Sequence, residues 1–174
     1  MYQDIIKLEK FYQSELGKAV QDRIYSKLKK YIYLHDGEKL GSFGFGEPYL
    51  SLLPKKKVSI FNFFSQRIGI KKNIINERLS NVLLDEEQLP IEDLFLNHII
   101  CIHCLEHSEN LKKTLRELWR VLAPEGKIYI ILPNKKSSWS FSSTSPFSPG
   151  FGFSKKKITR VLEDNFFEIQ SIDR

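Results

Sequence analysis

The chain has little of what a disulfide-stabilised or membrane-spanning protein needs. It contains two cysteines in 174 residues, too few for a disulfide framework. No stretch approaches the roughly 18 consecutive apolar residues that a membrane span requires. The N-terminus, MYQDIIKLEK, alternates charged with apolar residues and lacks the hydrophobic block of a signal peptide. Length and composition therefore predict one cytoplasmic globular domain, residues 1–174.

The cysteines and histidines are residue types found in redox and metal sites, but their spacing here favours neither kind of site. Cys101 and Cys104 lie in the apolar run IICIHCLEH, whereas a redox C-x-x-C pair opens a helix, so buried inert thiols are predicted. His103 and His107 stand next to Cys104 and Glu106. A zinc site needs three or four converging ligands, and the chain offers no second cluster. No metal is predicted.

The net charge of +6 comes from lysines in short runs. Runs spread along a chain are typical of a solvated surface, whereas a nucleic-acid interface concentrates them on one face with aromatic residues between them. Nucleic-acid binding is therefore an alternative that is not favoured. The runs are Lys29-Lys30, Lys55 to Lys57, Lys71-Lys72, Lys135-Lys136 and Lys155 to Lys157.

Apolar periodicity predicts two long amphipathic helices. Residues 14–34 repeat apolar positions at i+4 behind Ser14, a good N-cap residue, and so define an N-terminal helical segment within residues 1–36. A second helix is expected after Ser108 as N-cap, with Glu109 in its first turn. A shorter helix behind Ser154 and six strands complete the elements. The predicted ranges are 155–164 for that helix and 38–43, 57–64, 80–85, 95–103, 127–133 and 166–172 for the strands.

The order of these elements indicates the fold class. The strand at 95–103 is almost continuously apolar, as expected of a central parallel strand covered on both faces. A helix and another apolar strand follow it, which predicts a right-handed parallel crossover. Residues 134–153 are rich in Ser, Pro, Gly and aromatic residues without a period. We expect them to form a lid-like loop or acceptor wall, a disordered linker being the alternative.

A glycine-rich turn follows the first predicted strand, and it resembles the turn of class I S-adenosylmethionine-dependent methyltransferases of the type 11 family. The family has an acidic residue and then three glycines at alternate positions. Here Gly44 and Gly46 match, while Ser42 stands in place of the acid and Pro48 in place of the third glycine. Glycine allows positive φ and close approach of a ligand to backbone, and a helix start beyond it favours a carboxylate.

A longer segment strengthens the resemblance. The stretch from the third to the fifth strand follows the family text nearly position by position, and the likeness covers about residues 11–170, including a tPF-x-x-G loop found in a bacterial subset. The matching motifs are Asp85, Leu89-Pro90, Leu105-Glu106-His107, Arg120 to Gly126, Pro133-Asn134 and the loop residues Trp139, Thr144 to Phe147 and Gly150.

The resemblance implies an α/β, Rossmann-like fold with a mostly parallel central sheet and helices on both faces. The chain ends before the family's last strand, so that strand is expected to be absent and the sheet edge open to a partner. The implied cofactor is S-adenosylmethionine. The implied cofactor-binding residues are Ser42, Phe43, Gly44, Phe45, Gly46, Asn62, Asp85, Glu86, Cys101, Ile102 and His103.

Individual roles follow from the same resemblance. Gly44 and Gly46 would face the methionine half, Asp85 would accept from the adenine amino group, and Asn62 would replace the usual ribose-binding acid. His103 is the candidate general base, needed where the acceptor is a hydroxyl or a carbon acid. A Gly44→Val variant is expected to lose the cofactor without unfolding.

Two functions remain after this reading of the sequence. One is methyl transfer from S-adenosylmethionine to an unidentified, small-molecule acceptor. The other is a catalytically degenerate relative that serves as a binding or interaction module, which the missing acids and the short C-terminus favour. A nicotinamide-dinucleotide domain is disfavoured because Gly41, Gly44 and Gly46 do not give the G-x-G-x-x-G spacing.

Overall fold

The computed structural model describes residues 5–53, 57–65, 79–134 and 152–173, with backbone alone at 79–81. Its central feature is one sheet of five parallel strands in the order β3-β2-β1-β4-β5. The α/β class, the parallel sheet and the crossover between β4 and β5 are confirmed. The strands are β1 (Lys39–Gly44), β2 (Ser59–Ser65), β3 (Leu79–Leu84), β4 (Leu96–Ile102) and β5 (Leu122–Ile131).

The strand order reverses between β1 and β4. The chain adds β2 and β3 on one side of β1, then returns to place β4 on its other side. The register aligns the strand ends, with Gly44 beside Ile102 and Ser65 beside Leu84. Where such a sheet reverses its order, the loops at the carboxyl ends of the strands diverge and leave a crevice for a ligand.

Helices cover both faces of the sheet and bury two hydrophobic cores. α1, α2 and α3 pack on a first core that includes Leu8, Leu40 and Ile100, whereas α4 contributes Leu115 and Leu118 to a second. No helix in the described part of the chain is long and apolar enough to span a membrane. The helices are α1 (Ile5–Gln13), α2 (Glu15–Leu28), α3 (Glu47–Leu50), α4 (Leu111–Val121) and α5 (Lys155–Glu163).

The N-terminal helical segment consists of two helices, and the predicted 14–34 helix is too long. Ser14 is the N-cap of α2 as expected, since its hydroxyl accepts from the Gly17 N–H at 3.1 Å. α1 and α2 meet so tightly there that a Cβ on Gly17 would lie 1.8 Å from the Phe11 carbonyl oxygen. α2 ends at Leu28, because the chain then turns to bring Ile32 into the first core.

Ser108 is not the N-cap of α4, and Glu109 is not in its first turn. A 3-10 turn at Leu105–His107 precedes the helix, and Asn110 caps it by accepting from the Lys113 N–H at 3.2 Å. The Ser108 hydroxyl instead bonds the Thr114 hydroxyl at 2.8 Å. Both residues have N-cap propensity, so the choice was made by the 3-10 turn that follows β4.

The predicted strand at 166–172 is wrong for the described residues, since 167–173 form no strand. Phe167 packs into the second core. Further along, Asp173 lies against the end of the N-terminal helices, where it accepts from the Tyr31 hydroxyl at 3.3 Å and pairs with Lys27 at 3.8 Å. Side-chain contacts with Tyr31 and Lys27, rather than strand pairing, therefore hold the end of this segment.

Candidate functional site

The glycine turn lies at the point where the sheet reverses its order. Gly44 ends β1 with φ +91°, and the next residue, Phe45, donates its N–H to the Ile102 carbonyl at 2.9 Å. A Cβ on Gly44 would lie 2.1 Å from that same carbonyl oxygen. Gly46 has an ordinary φ of −89° but its added Cβ would lie 1.9 Å from the Ser42 Oγ. Gly44 is thus required by its contact with backbone, whereas a side chain at Gly46 would require the Ser42 hydroxyl to move.

This geometry corrects the expected behaviour of Gly44→Val. A side chain at Gly44 would meet backbone atoms of Ile102 and His103, which cannot move without shifting β4. The left-handed φ adds strain for any L side chain. The variant would therefore damage the fold, and it cannot serve as a clean test of ligand binding.

The residues around these glycines are buried in the two cores. Ser42 is fully buried in β1, and its hydroxyl has no hydrogen-bond partner among the described residues. Phe43 stacks on Phe63 at 4.8 Å between ring centroids in the second core. Phe45 lies on the opposite face, stacked on Tyr12 at 5.7 Å. The side chains of Phe43 and Phe45 support the turn from both sides of the sheet.

The end of β3 carries two acids in different environments. Asp85 is exposed, and one of its oxygens, Oδ1, accepts from the Glu87 N–H at 2.9 Å. Glu86 is 4% exposed, and its Oε2 accepts from the hydroxyl of Ser65, the last residue of β2. Asp85 thus keeps its other oxygen towards solvent at the carboxyl edge, where an amino group could bind.

Asn62 lies in the middle of β2, although it was predicted to contact the ribose. It is 1% exposed and pairs laterally with Ser42 on β1 and Asn81 on β3. The strand continues to Ser65, so Ser65 and the Glu86 carboxylate occupy the strand end. The sequence analysis did not place Ser65 and Glu86 together. It ended the second strand at residue 64, and Glu86 comes from the turn after β3.

The end of β4 carries a buried polar cluster centred on His103. This residue has φ +52° and no exposed surface. Its Nε2 lies 3.0 Å from the Tyr12 hydroxyl and its Nδ1 lies 3.5 Å from Glu106 Oε1. Glu106 also accepts from the Cys104 N–H at 3.2 Å. A non-glycine residue held in the left-handed region at a strand end is a frequent feature of functional sites.

Tyr12 is the member of this cluster that the sequence analysis missed. It comes from α1, and its hydroxyl also lies 3.0 Å from the Tyr49 hydroxyl of α3. Burial, followed by the neighbouring Tyr49, raises the pKa of Tyr12 well above its usual 10.0. The apolar spacing of Ile5, Leu8 and Tyr12 predicts an inward face of a helix. Nothing in that spacing indicates the tyrosine's polar partners.

The cysteine pair lies inside the second core. Cys101 and Cys104 are free and buried. A hydrogen bond to Cys101, together with burial, raises the pKa of the Cys104 thiol, which disfavours the reactive thiolate. In the described part of the chain, no group of three or more potential ligands is arranged to hold a metal ion.

Two buried carboxyl groups, those of Glu86 and Glu106, lie near this edge of the sheet. Glu86 and Glu106 are 4% and 1% exposed. Neither forms an ion pair with a lysine or arginine within the described ranges; the contact of Glu106 is with His103. Buried carboxylates are costly unless compensated. A ligand group that is positively charged or donates hydrogen bonds would compensate these buried carboxyl groups.

Arg120 fixes the loop that carries the β3-end acids. From α4 it donates to the backbone carbonyls of Leu89 and Ile91, at 3.0 and 2.8 Å, and it pairs with Glu117 and Asp93. The hydrogen bond from Arg120 is the main cause that lowers the pKa of Glu117 below 4.5. This contact set gives a structural reason for the arginine in the matched Arg120 to Gly126 motif.

Comparison with known proteins identifies the fold and finds one matching family model. Residues 58–130 match a family model described as a methyltransferase domain. The match covers less than half of the chain, and the solved structures with the same fold include class I methyltransferases. The chain's solved neighbours include the [4+2]-cyclase SpnF, with a TM-score of 0.69, 17% identity and coverage of 91% of this chain and 61% of that one. A methyltransferase of Aquifex aeolicus described as SAM dependent gives a TM-score of 0.63, 21% identity and coverage of 84% and 81%.

A curated relative also matches about half of this chain. Norajmaline N-methyltransferase of Rauvolfia serpentina is 29% identical over 91 residues, which span 52% of this chain and 29% of the relative. The chain therefore matches less than a third of that relative's length. One solved neighbour, phosphoethanolamine N-methyltransferase 2 of Haemonchus contortus, is in complex with S-adenosyl-L-methionine; its TM-score is 0.67 at 15% identity, with coverage of 94% of this chain and 41% of that one.

The described residues fit S-adenosylmethionine, which carries a positive sulfonium and an adenine amino group. Asp85 offers a side-chain oxygen to the amino group, and the buried carboxyl groups of Glu86 and Glu106 lie near the same edge. The structure brings the ends of β1, β3 and β4 to one edge, and with them the predicted Gly44, Asp85 and His103. The predicted loop 134–153 lies outside the described residues except at 134, 152 and 153.

Proposed function

We propose that this domain binds S-adenosylmethionine across the carboxyl edge of the sheet and transfers its methyl group to a small-molecule acceptor. The observation that carries the proposal is the left-handed Gly44 at the reversal between β1 and β4, on the same edge as the exposed carboxylate of Asp85. The methyltransferase family match over residues 58–130 supports it.

The cofactor would supply an activated methyl group on a sulfonium leaving group. The protein then has to align the acceptor, exclude water and remove a proton where the acceptor carries one. Asp85 binds the adenine end, the Gly44 turn lies beside the methionine end, and His103 is the base at the end of β4. The small-molecule acceptor is supported by the norajmaline N-methyltransferase match, in which the aligned region spans 29% of that protein.

Calorimetric titration with S-adenosylmethionine and with S-adenosylhomocysteine tests the binding. Asp85→Asn should weaken both by about tenfold or more, because a charge-assisted hydrogen bond is lost. Asp36→Asn is the matched control: Asp36 is also exposed and accepts a backbone N–H, from Lys57 at 3.1 Å. It precedes β1, at the opposite edge of the sheet, and should leave both affinities unchanged.

A non-catalytic binding module is the second candidate. The fold is shared with the [4+2]-cyclase SpnF, and a fold does not fix a reaction. The glycine turn favours this candidate, because Ser42 stands in place of the acid and Pro48 in place of the third glycine. A wild-type dissociation constant weaker than about 1 mM for S-adenosylmethionine, only about 4 kcal/mol of binding, would favour the module.

A further inference from the structure

The polar cluster at the end of β4 contains a chain of three groups in contact. Glu106 lies at the Nδ1 side of His103, and Tyr12 lies at the Nε2 side. These residues come from three separate elements, namely the 3-10 turn after β4, the end of β4 itself and α1. All three are at least nine-tenths buried.

The order of these groups is that of an acid–imidazole–hydroxyl relay. In such an arrangement the carboxylate keeps the proton on one imidazole nitrogen, and the other nitrogen accepts a proton from the hydroxyl. The 3.5 Å separation between His103 Nδ1 and Glu106 Oε1 is long for a hydrogen bond, as is common in sites without substrate. The 3.0 Å contact between His103 Nε2 and Tyr12 is of full hydrogen-bond length.

Tyr12 also lies directly over the glycine turn. Its ring stacks on Phe45, the residue between the two glycines, and its hydroxyl meets Tyr49 of α3 at 3.0 Å. The Tyr12 hydroxyl therefore lies in contact with His103 on one side and with Tyr49, three residues after Gly46, on the other.

We propose that Tyr12, His103 and Glu106 form the proton relay of the methyl acceptor, which is then a molecule whose nucleophilic atom carries a proton. This inference rests on the proposed function. As the acceptor's electron pair forms the bond to the methyl carbon, the carbon–sulfur bond breaks and its pair stays on sulfur. The acceptor's proton goes to the Tyr12 oxygen while the Tyr12 proton moves to His103 Nε2, and Glu106 stabilises the imidazolium.

The relay requires one tautomer of His103, and NMR measures it. The proton must sit on Nδ1, facing Glu106, so that Nε2 accepts from Tyr12. Long-range ¹⁵N–¹H correlation spectra of the full chain should show the Nδ1–H form at pH 7.5. Glu106→Gln should reduce that preference, whereas Tyr49→Phe should leave it unchanged. A predominant Nε2–H form in the wild type overturns the proposal.

His98 provides a matched internal control in the same spectra. It is also buried between a glutamate and a tyrosine, with Nε2 3.0 Å from Glu38 and Nδ1 3.3 Å from the Tyr129 hydroxyl. It pairs with Leu40 of β1, far from the carboxyl edge. Its signals should not respond to Glu106→Gln. In the described ranges, the titratable groups that interact with His103 include Tyr12 from α1 and Glu106 and His107 from the 3-10 turn, and Tyr49 from α3 contacts Tyr12.

Proximity to the reacting methyl group is tested in the complex. With S-[methyl-¹³C]adenosylmethionine bound, isotope-filtered NOEs should connect the methyl protons to the Tyr12 ring and should not reach His98. Binding without an NOE to Tyr12 or His103 overturns the relay and leaves the proposed function intact. If titration shows no binding at all, the proposed function itself fails, and the relay fails with it.

Tyr12→Phe separates a relay from a structural role. This variant removes the hydroxyl and keeps the ring on Phe45, so the affinity for S-adenosylhomocysteine should stay within about threefold, less than 1 kcal/mol. The His103 tautomer preference should weaken, because Nε2 loses its donor. An unchanged tautomer in both Tyr12→Phe and Glu106→Gln would show that neither residue sets the imidazole proton, and would overturn the proposal.

Discussion

The backbone of Gly44 meets the carbonyl oxygen of Ile102 so closely that a Cβ atom at position 44 would lie 2.1 Å from it. This contact joins the ends of β1 and β4 at the reversal of the sheet. The glycine of the turn is therefore required by the protein's own packing, before any ligand is considered. Family motifs of this kind carry structural as well as binding information.

The first prediction compares two glycines with the same backbone conformation. Gly37 has φ +89° and an added Cβ would meet nothing within 4 Å, whereas Gly44 has φ +91° and no room. Gly37→Ala should cost about 1 kcal/mol from left-handed strain alone. Gly44→Ala should cost about 3 kcal/mol or more, since the clash adds to the strain. Urea denaturation measures both, and equal costs would contradict the close contact.

A second prediction concerns the two buried tyrosines. Tyr12 contacts both Tyr49 and His103, so Tyr12→Phe should lower the free energy of unfolding by about 1–3 kcal/mol. Tyr49→Phe should cost less, because the Tyr12 hydroxyl keeps its contact with His103. The double variant should cost less than the sum of the single changes, because the two residues share one hydrogen bond. Additive costs would show that the hydroxyls do not interact.

A third prediction addresses the arginine that holds the loop before β4. Arg120→Lys should destabilise the domain by about 1–3 kcal/mol, because a lysine cannot reach the carbonyls of Leu89 and Ile91 and the Glu117 carboxylate together. Arg116→Lys is the control, since Arg116 is exposed on the same helix. Thermal and urea unfolding of the two variants should differ clearly. Similar stabilities would remove Arg120 from this role.

A fourth prediction concerns pH and Glu38. Burial acts to raise its pKa, but hydrogen bonds from the His35 N–H and from His98 outweigh burial, and the net pKa lies below 4.5. A pKa lowered by folding adds stability above the unfolded value, and that stability is lost as the pH falls through the folded value.

Unfolding curves of wild type and Glu38→Gln should therefore differ by a constant amount above pH 5 and converge below about pH 4. Glu15→Gln is the comparison, because Glu15 has a 98% exposed side chain on α2. A gap for Glu38→Gln that is the same at pH 3 and pH 7 would show that His35 and His98 do not stabilise its charged form.

Part of the fold could be predicted from the sequence because it depends on local sequence patterns. The apolar run of β4 and the apolar stripe on α4 each predict a buried element from local sequence alone. The order of strand, helix and strand was therefore predicted correctly. The start of α4 was predicted wrongly. Ser108 and Asn110 are both good N-cap residues, and the 3-10 turn before the helix determines that Asn110 caps it. The segment 167–173 has the composition of a strand but forms none. Its Asp173 instead bonds with the Tyr31 hydroxyl and pairs with Lys27.

The sequence by itself determined the parallel α/β domain, the glycine turn and the acid after β3, because each depends on neighbours within a few positions along the chain. Only the tertiary structure decided what surrounds His103. Tyr12 lies 91 positions away in the chain and reaches the end of β4 through the packing of α1 on the first core. No spacing in the sequence predicts a contact between such distant residues, because the contact exists only after both elements have packed on the same sheet.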